Sequence, residues 1–303
     1  MTAGRRDFVV AGACALFAAQ AKADDKPVPE VRAIVAGPAR SKAALIEDCV
    51  TQVECTTANG QKTNATGFVY RFATPAGGLD SLITNRHVLT DAASVTLYFR
   101  VRSDRPASPT LKGFRIDDVQ KKTVYHPQAW VDLAALPLFD VAAALRESRI
   151  EVDASYLTRA NILSERALQA IGPIADVLIV GHPQGMMDVV QSAPIARRGI
   201  TATPAYEHYG GAPDFLIDAR LSHGSSGSPV FLDNLGGARQ QSWHAPLGNT
   251  VVLLGVVSEM LGGWRSQENE AAVASAVPNG WILCWMAPLL FDLEAAIVSV
   301  HGK

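Results

Sequence analysis

The sequence predicts an all-β protein of two six-stranded antiparallel β-barrels with a C-terminal helix. Short runs rich in Val, Ile, Tyr and Phe recur along the 303 residues, and most end at Gly, Pro, Asn or Asp turn signals. Such runs favour antiparallel barrels or a sandwich over alternating β/α units. They are Gly67–Phe72, Leu82–Leu89, Val95–Val101, Asp176–Val180, Phe215–Leu221, Val230–Leu232 and Val251–Val257.

Composition narrows the class of protein. Hydrophobic residues make up 48% of the chain and charged residues 18%, which is enough apolar material for a large core. The 27 basic and 29 acidic residues give a net charge of -2, which argues against nucleic acid as a partner. Beyond the first two dozen residues no uncharged apolar run reaches the roughly 18 to 20 residues of a membrane span. We therefore expect a mature chain without a membrane-spanning helix.

The first 23 residues have the pattern of an export signal. Arg5 and Arg6 precede an apolar run of small residues, and Ala21-Lys22-Ala23 forms a cleavage signal. Paired arginines before a weakly hydrophobic segment are typical of a bacterial twin-arginine signal, with an ordinary secretory signal as the alternative. Either reading predicts a periplasmic or secreted bacterial protein.

The rest of the chain divides into three parts. Residues 24–45 are predicted to form a leader, 46–160 the N-terminal β-barrel, and 161–303 the C-terminal β-barrel with its terminal helix. Each half then has a suitable length for one six-stranded barrel. Pro288 suits the first turn of the helix. The apolar face of this helix is predicted to contain Leu289, Leu290, Leu293, Ala296, Ile297 and Val300.

Three cysteines follow the predicted signal. Cys49 and Cys55 are close in the sequence of an exported protein, which predicts a short-loop disulfide between them. Metal binding is the competing interpretation. The five residues between Cys49 and Cys55 do not match the usual spacing of zinc ligands, and no second Cys/His pair lies nearby. Cys284, between Leu283 and Trp285, is predicted to be a buried free thiol.

The sharpest local signal is the segment Gly224–Pro229. Glycines on both sides of Ser226 allow a tight turn that exposes its hydroxyl group. Such a turn also lets the amides of Gly224 and Ser226 converge on one point, which is the geometry of an oxyanion hole. Ser226 is therefore a candidate nucleophile.

A serine nucleophile needs a positioned base, and His87 is the first choice among 7 histidines. His87 comes near the end of the apolar run Leu82–Leu89, which predicts a strand that delivers it to a barrel rim. The other histidines precede proline, lie in polar or terminal segments, or are too near Ser226 in sequence. They are His126, His182, His208, His223, His244 and His301.

The base in turn needs a carboxylate that orients it. Asp132 lies among apolar residues, where an unpaired charge is costly and burial requires a partner. Asp140 has similar surroundings and is the rival candidate. The ordinary alternative for either residue is a turn or helix-cap aspartate.

Three segments resemble those of the chymotrypsin/trypsin-like serine peptidases, especially the exported bacterial members. Thr84–Val88 is similar to the histidine segment of that family, Val131–Ala134 to its aspartate segment, and Gly224–Pro229 to its serine segment. The order His, Asp, Ser also matches, unlike the subtilisin and α/β-hydrolase orders. The 45-residue spacing from His87 favours Asp132 over Asp140.

The resemblance covers about residues 60 to 290 and implies a chymotrypsin-like barrel pair that hydrolyses protein or peptide substrates. It implies a Ser226-His87-Asp132 triad without a metal or organic cofactor, and gives Ser258 a role in supporting the aspartate. This chain departs from the family pattern in having Ser228 for a common glycine, in having Arg86 where a small residue is usual, and in lacking the usual disulfides.

Two other functions compete with peptidase activity. The first is an exported barrel-pair scaffold that is catalytically inactive. The second, an α/β-hydrolase esterase, conflicts with the chain order and with the scarcity of predicted helix.

Arg220 bears on specificity, because it lies six residues before Ser226, where the family often has a pocket-floor aspartate. We therefore do not expect cleavage after Lys or Arg to dominate. Either Arg220 and His223 favour an acidic side chain, or Arg220 points to solvent and Leu221 leaves a shallow aliphatic pocket.

Overall fold

The computed structural model describes residues 34, 41–102, 110–188, 192–234, 250–260 and 280–301. The predicted signal peptide at 1–23 lies outside the described residues, and so do residues 24–33 and 35–40 of the predicted leader. The division into domains at 46–160 and 161–303 stays a prediction.

The first half is an eight-stranded sheet with four short helices. Its strands are β1 (Val50–Thr57), β2 (Lys62–Thr74), β3 (Gly77–Thr84), β4 (Ala92–Val101), β5 (Thr110–Asp117), β6 (Val124–Tyr125), β7 (Ala134–Pro137) and β8 (Val152–Asp153). Its helices are α1 (Lys42–Asp48), α2 (Arg86–Thr90), α3 (Val119–Lys122) and α4 (Phe139–Ser148). The strand order is β5-β4-β1-β2-β3-β7-β6, and β8 pairs with β4.

The second half contains the closed barrel. After a 3₁₀ turn at Arg159–Asn161, its elements are helix α5 (Glu165–Ile171), β9 (Asp176–Gly181), β10 (Ile195–Thr201), β11 (Asp214–Asp218), β12 (Pro229–Leu232), β13 (Leu253–Met260), β14 (Trp281–Met286) and helix α6 (Leu290–His301). Further 3₁₀ turns lie at Pro183–Gly185 and Ala287–Leu289. All strand pairs are antiparallel, and the barrel closes in the order β10-β11-β14-β13-β12-β9. One of the two predicted six-stranded barrels is therefore present.

The first half does not close into the second predicted barrel among the described residues. Its sheet ends at β5 on one side and at β6, only two residues long, on the other. Helix α3 connects these edge strands, and Val119 of α3 with Val141 and Leu145 of α4 fills the first-half core. Helical side chains thus cover apolar surface that closing strand pairs would otherwise cover, so an open sheet still has a complete core.

One large apolar cluster joins the two halves. It contains Phe68 and Tyr70 of β2 together with Phe231 of β12 and Leu290 of α6. Phe68, Phe231 and Leu290 are completely buried, so separating the halves would expose several large side chains to water. The halves therefore pack as one body around this cluster.

The C-terminal helix is confirmed. Pro288 lies in the 3₁₀ turn that leads into α6, and Leu290, Leu293 and Ile297 are buried at helical spacing. Val300, predicted to share that face, is 60% exposed. Within the described residues no helix is long and apolar enough to cross a membrane.

The predicted disulfide between Cys49 and Cys55 is wrong, because both thiols are free. Cys49 directly precedes β1, and Cys55 is the sixth residue of that strand. At about 3.3 Å per residue the strand holds them roughly 16 to 20 Å apart, whereas a disulfide needs Cα atoms within about 7 Å. The Cys49 thiol donates to the Ile46 carbonyl and the Cys55 thiol to that of Val88. Cys284 is free and buried.

Candidate active site

His87 lies one turn beyond the end of β3, in the short helix α2. The sequence predicted a strand through Leu89, but β3 stops at Thr84 and Asn85 forms the helix N-cap. Thr84 is the last residue of β3 that pairs with β7, opposite Ala134. This register brings the residues after Thr84 level with the residues before Ala134, so His87 lies beside Asp132.

His87 and Asp132 make two direct contacts. The His87 amide donates to Asp132 Oδ1 at 2.9 Å, and His87 Nδ1 lies 2.7 Å from Asp132 Oδ2. A carboxylate at Nδ1 favours the tautomer with its proton on Nδ1, which leaves Nε2 free to accept a proton. The side chain of His87 is 53% exposed and that of Asp132 is 23% exposed, so the pair faces solvent at its histidine end.

The carboxylate changes the acidity of the imidazole. The hydrogen bond that His87 donates to Asp132 raises the pKa of His87 above its ordinary value, partial burial opposes the rise, and the charges of Asp132 and Glu259 reinforce it. A histidine with a raised pKa holds an accepted proton more firmly. The arrangement therefore suits a base that becomes a cation for part of a reaction.

Ser258 supports the same carboxylate from the second half of the chain. It lies on β13, is 5% exposed, and its hydroxyl donates to Asp132 Oδ2 at 3.3 Å. Asp132 therefore receives hydrogen bonds from His87 and Ser258 through one oxygen and from the His87 backbone through the other. These contacts hold the carboxylate in one orientation.

The serine segment forms a tight turn that needs its glycines. Gly224 and Gly227 have φ angles of +87° and +83°, in the left-handed region that favours glycine. A Cβ on Gly227 would lie 2.1 Å from the Thr66 carbonyl oxygen, and one on Gly224 would lie 2.5 Å from the Gln184 amide nitrogen. Neither site accommodates a larger residue, and half-buried Ser226 lies between them.

The amides in this turn fall into two groups. The amides of Ser225, Gly227 and Ser228 donate to backbone carbonyls, whereas those of Gly224 and Ser226 donate to no group within the described residues. Two unpaired donors at alternate positions of a glycine-rich turn can bind an anionic oxygen.

A backbone contact sets the direction of the Gly224 amide. The His223 carbonyl accepts a 2.7 Å hydrogen bond from the Gln184 amide in the 3₁₀ turn Pro183–Gly185. In a trans peptide the N–H and C=O groups point in opposite directions. The Gly224 N–H therefore points away from the Gln184 turn.

Thr66 is a buried residue that the sequence reasoning missed. Its amide donates to the Ser226 carbonyl at 3.0 Å, and its hydroxyl donates to the Gly224 carbonyl at 2.9 Å. Thr84, three residues before His87, donates its hydroxyl to the Thr66 carbonyl at 2.8 Å. Thr66 thus links the serine turn to the strand that leads to His87. An unremarkable threonine in a strand gives no sequence signal for such a role.

A second tie joins the serine turn to Asp132 through β13. The Gly227 amide donates to the Val257 carbonyl at 3.0 Å, and the Val257 amide donates to Ser228 at 2.9 Å. Ser258, the next residue along, contacts Asp132.

The rival carboxylate Asp140 lies elsewhere. It is in the first turn of α4, with its side chain 42% exposed, and its Oδ2 pairs with Lys122 at 2.6 Å. Its surroundings are those of an ordinary surface ion pair, whereas Asp132 contacts a histidine.

No group of three or more His, Cys, Asp or Glu side chains within the described residues is arranged to hold a metal ion.

Comparisons with known proteins identify the family. The family model described as trypsin-like peptidase domain matches residues 65–237, which contain His87, Asp132 and Ser226. A search of curated proteins found no match. The match to the family model spans more than half of the chain. The protein is thus a serine-type peptidase in class, and the chain belongs to the family of trypsin-like peptidase domains.

The chain is also similar to several solved structures. They include HL collagenase, at 13% identity over 89% of this chain and 99% of that chain with a TM-score of 0.48. The inactive form of Rv3671c from M. tuberculosis H37Rv is 17% identical over 91% and 99%, with a TM-score of 0.45. The HtrA-type protease AlgW with tripeptide is 15% identical over 87% and 65%, with a TM-score of 0.46.

Proposed function

We propose that this protein is a serine endopeptidase in which Ser226 is the nucleophile, His87 the general base and Asp132 the orienting carboxylate. The observation that carries the proposal is the 2.7 Å contact between His87 Nδ1 and Asp132 Oδ2. It supports a base with a free Nε2 in a chain whose family hydrolyses peptides.

The proposed reaction is acyl transfer. His87 Nε2 takes the proton of Ser226 Oγ as that oxygen bonds to the peptide carbonyl carbon, and Asp132 stabilises the imidazolium. The amides of Gly224 and Ser226 bind the carbonyl oxygen as it becomes negative. The C–N bond then breaks, the leaving amine takes the proton from Nε2, and an ester remains on Ser226. Water, activated by the same base, hydrolyses that ester.

Ser258 is proposed to position the aspartate. Its hydroxyl contacts Asp132 Oδ2, the same oxygen that faces His87. Loss of this contact would remove one of the three hydrogen bonds that orient the carboxylate. We therefore expect Ser258→Ala to lower activity less than Asp132→Asn does.

We further propose a shallow primary pocket for small or medium aliphatic residues. Arg220 is exposed and its carbonyl accepts from Arg197 Nη1 at 2.7 Å, while half-buried Leu221 packs on the barrel core. This supports the alternative in which the Arg220 guanidinium faces solvent, since burying it without a partner would be costly.

Digestion of a peptide library tests activity and specificity together. The wild-type protein is run beside Ser226→Ala, and new cleavage sites are read by mass spectrometry. We expect sites that require Ser226 and that follow aliphatic residues. Strong enrichment of Lys or Arg before the cleaved bond would refute the shallow aliphatic pocket. Enrichment of Asp or Glu there that vanishes in Arg220→Ala would support the alternative in which Arg220 favours an acidic side chain. Identical digests from both proteins would favour an inactive scaffold.

We also propose that the protein is exported through its N-terminal signal. The paired arginines at positions 5 and 6 support a twin-arginine signal that is removed after Ala23. Replacement of both arginines by lysine should keep the protein in the cytoplasm if it uses the twin-arginine pathway. If it uses the general secretory route, the variant should still be exported.

A further inference from the structure

We propose that Arg86 is a positioning residue that holds the loop carrying Asp132, so that the carboxylate stays aligned with His87. The inference rests on the proposed function, because the alignment matters only if His87 is the base.

The loop in question leaves the β-ladder just where alignment is needed. β6 and β7 pair through Tyr125 and Ala134, and the His126 amide extends the pairing to the Leu133 carbonyl at 3.0 Å. Residues 127–132 lie beyond that last pair, so the ladder does not fix them. Asp132 is the final residue of this loop.

Three consecutive residues of the histidine segment contact Asp132 and His126, which is the residue directly before the loop. Asn85 donates through Nδ2 to the Asp132 carbonyl at 2.9 Å, and His87 donates through its amide to Asp132 Oδ1. Arg86, between them, donates through Nη2 to the carbonyl of His126, the paired residue directly before the loop, at 2.8 Å. One tripeptide therefore contacts the last residue of the loop and the residue that directly precedes the loop.

The geometry of Arg86 suits a fixed support. Its guanidinium carbon lies 4.8 Å from the centre of the Tyr125 ring, so the ring holds the planar group from one face. The guanidinium is planar and presents its donors in a fixed fork. Its Nε is buried with no partner within the described residues, a cost that a side chain selected only for stability would avoid.

The side chain of His126 lies between the loop and the C-terminal helix. His126 Nδ1 accepts from the Gln128 amide at 3.2 Å, and His126 Nε2 lies 3.5 Å from Asp292 Oδ2 of α6. The His126 side chain is completely buried, and burial lowers its pKa, which favours the neutral ring. His126 thus lies between Arg86 and the C-terminal helix.

The test compares Arg86→Met with wild type and with Arg115→Met. Arg115 is an exposed control that pairs with Asp117 on β5, the strand at the opposite edge of the sheet from β6. We measure kcat, KM, the pH profile of kcat/KM, and the pKa of the His87 imidazole by NMR. We expect a kcat roughly 10- to 100-fold lower in Arg86→Met because the carboxylate shifts by a fraction of an ångström or more, with little change in KM. Arg115→Met should match wild type.

The pKa of His87 provides a readout that a general loss of stability would not move. Asp132 and Glu259 are the charged groups that raise it, and the Asp132 hydrogen bond is the larger cause. A displaced Asp132 should lower the pKa of His87 and move the acid limb of the profile to lower pH. Loss of the Arg86 cation alone, with Asp132 in place, would raise the pKa of His87 and move the acid limb to higher pH.

Several outcomes overturn the inference. These are an unchanged kcat and His87 pKa in Arg86→Met, or a rise in that pKa with an unchanged kcat. Arg86→Lys keeps the charge and one donor, should recover part of the lost kcat, and replaces Arg86→Met if the latter fails to fold. An inactive wild type whose His87 pKa still falls in Arg86→Met would refute the proposed function and leave the positioning role intact.

Discussion

Thr66 and Ser226 are joined across the two halves of the chain by a 3.0 Å hydrogen bond from the Thr66 amide to the Ser226 carbonyl. Thr66 itself is completely buried, and its hydroxyl both accepts from the His182 amide at 2.9 Å and donates to the Gly224 carbonyl. One side chain therefore holds the serine turn against the strand pair that leads to His87.

Thr66→Val should damage this junction while keeping the shape of the side chain. The His182 amide and the Gly224 carbonyl would both lose a partner in a buried site, which costs about 1 to 3 kcal/mol of folding free energy. A displaced serine turn should also lower kcat by roughly 10-fold or more. Chemical denaturation and steady-state kinetics measure the two effects. Thr63→Val, exposed on the same strand, is the matched control, and equal behaviour of the two variants would count against the role of Thr66.

Asp132→Asn should abolish most activity, because the amide cannot accept the Nδ1 proton as a carboxylate does, and such a change in a triad costs several orders of magnitude in kcat. Asp140→Asn removes only a half-exposed ion pair with Lys122 and should be nearly neutral. Peptide hydrolysis by the two purified variants decides between the carboxylates. If Asp140→Asn were the inactive variant, the assignment of Asp132 would be wrong.

The pH dependence follows from the raised pKa of His87. His87 accepts a proton only when neutral, so kcat/KM should rise with pH through the pKa of the free enzyme. Because the Asp132 hydrogen bond raises that pKa, the midpoint should lie above the ordinary histidine value of about 6.5. A pH profile of kcat/KM with a peptide substrate measures it, and a midpoint at or below that ordinary value would contradict the described contact.

The thiols should be free and slow to react. Burial raises the pKa of Cys55 to about 12 and moves the pKa of Cys49 and that of Cys284 well above the ordinary range, so few thiolates form at neutral pH. We expect slow titration of the native protein with a thiol reagent, rapid titration of all three after denaturation, and no change in stability on adding a reductant. Peptide mapping that found Cys49 joined to Cys55 would refute the strand separation.

Local pattern accounted for much of this structure. Ser226, His87 and Asp132 could be predicted from the sequence because each stands out from its neighbours. Ser226 lies between glycines, and His87 and Asp132 are polar residues in apolar segments. The terminal helix was predictable from Pro288 and a periodic apolar face.

Other features depend on long-range contacts. Whether the first sheet closes depends on whether helices α3 and α4 or further strand pairs cover its apolar surface, and no single segment encodes that choice. Cys49 and Cys55 are close in sequence but not in space, because an extended strand separates them. Thr66 and Arg86 act through backbone carbonyls of distant segments, which sequence spacing does not reveal.

The nucleophilic role of Ser226 is the central claim, and covalent labelling tests it most directly. The intact protein is treated with a serine-directed organophosphonate, digested, and mapped by mass spectrometry, with Ser226→Ala and His87→Ala treated in parallel. We predict a single modified residue, Ser226, with no label in Ser226→Ala and much slower labelling in His87→Ala. Labelling at another serine, or a wild-type protein that takes up no label, would contradict the account.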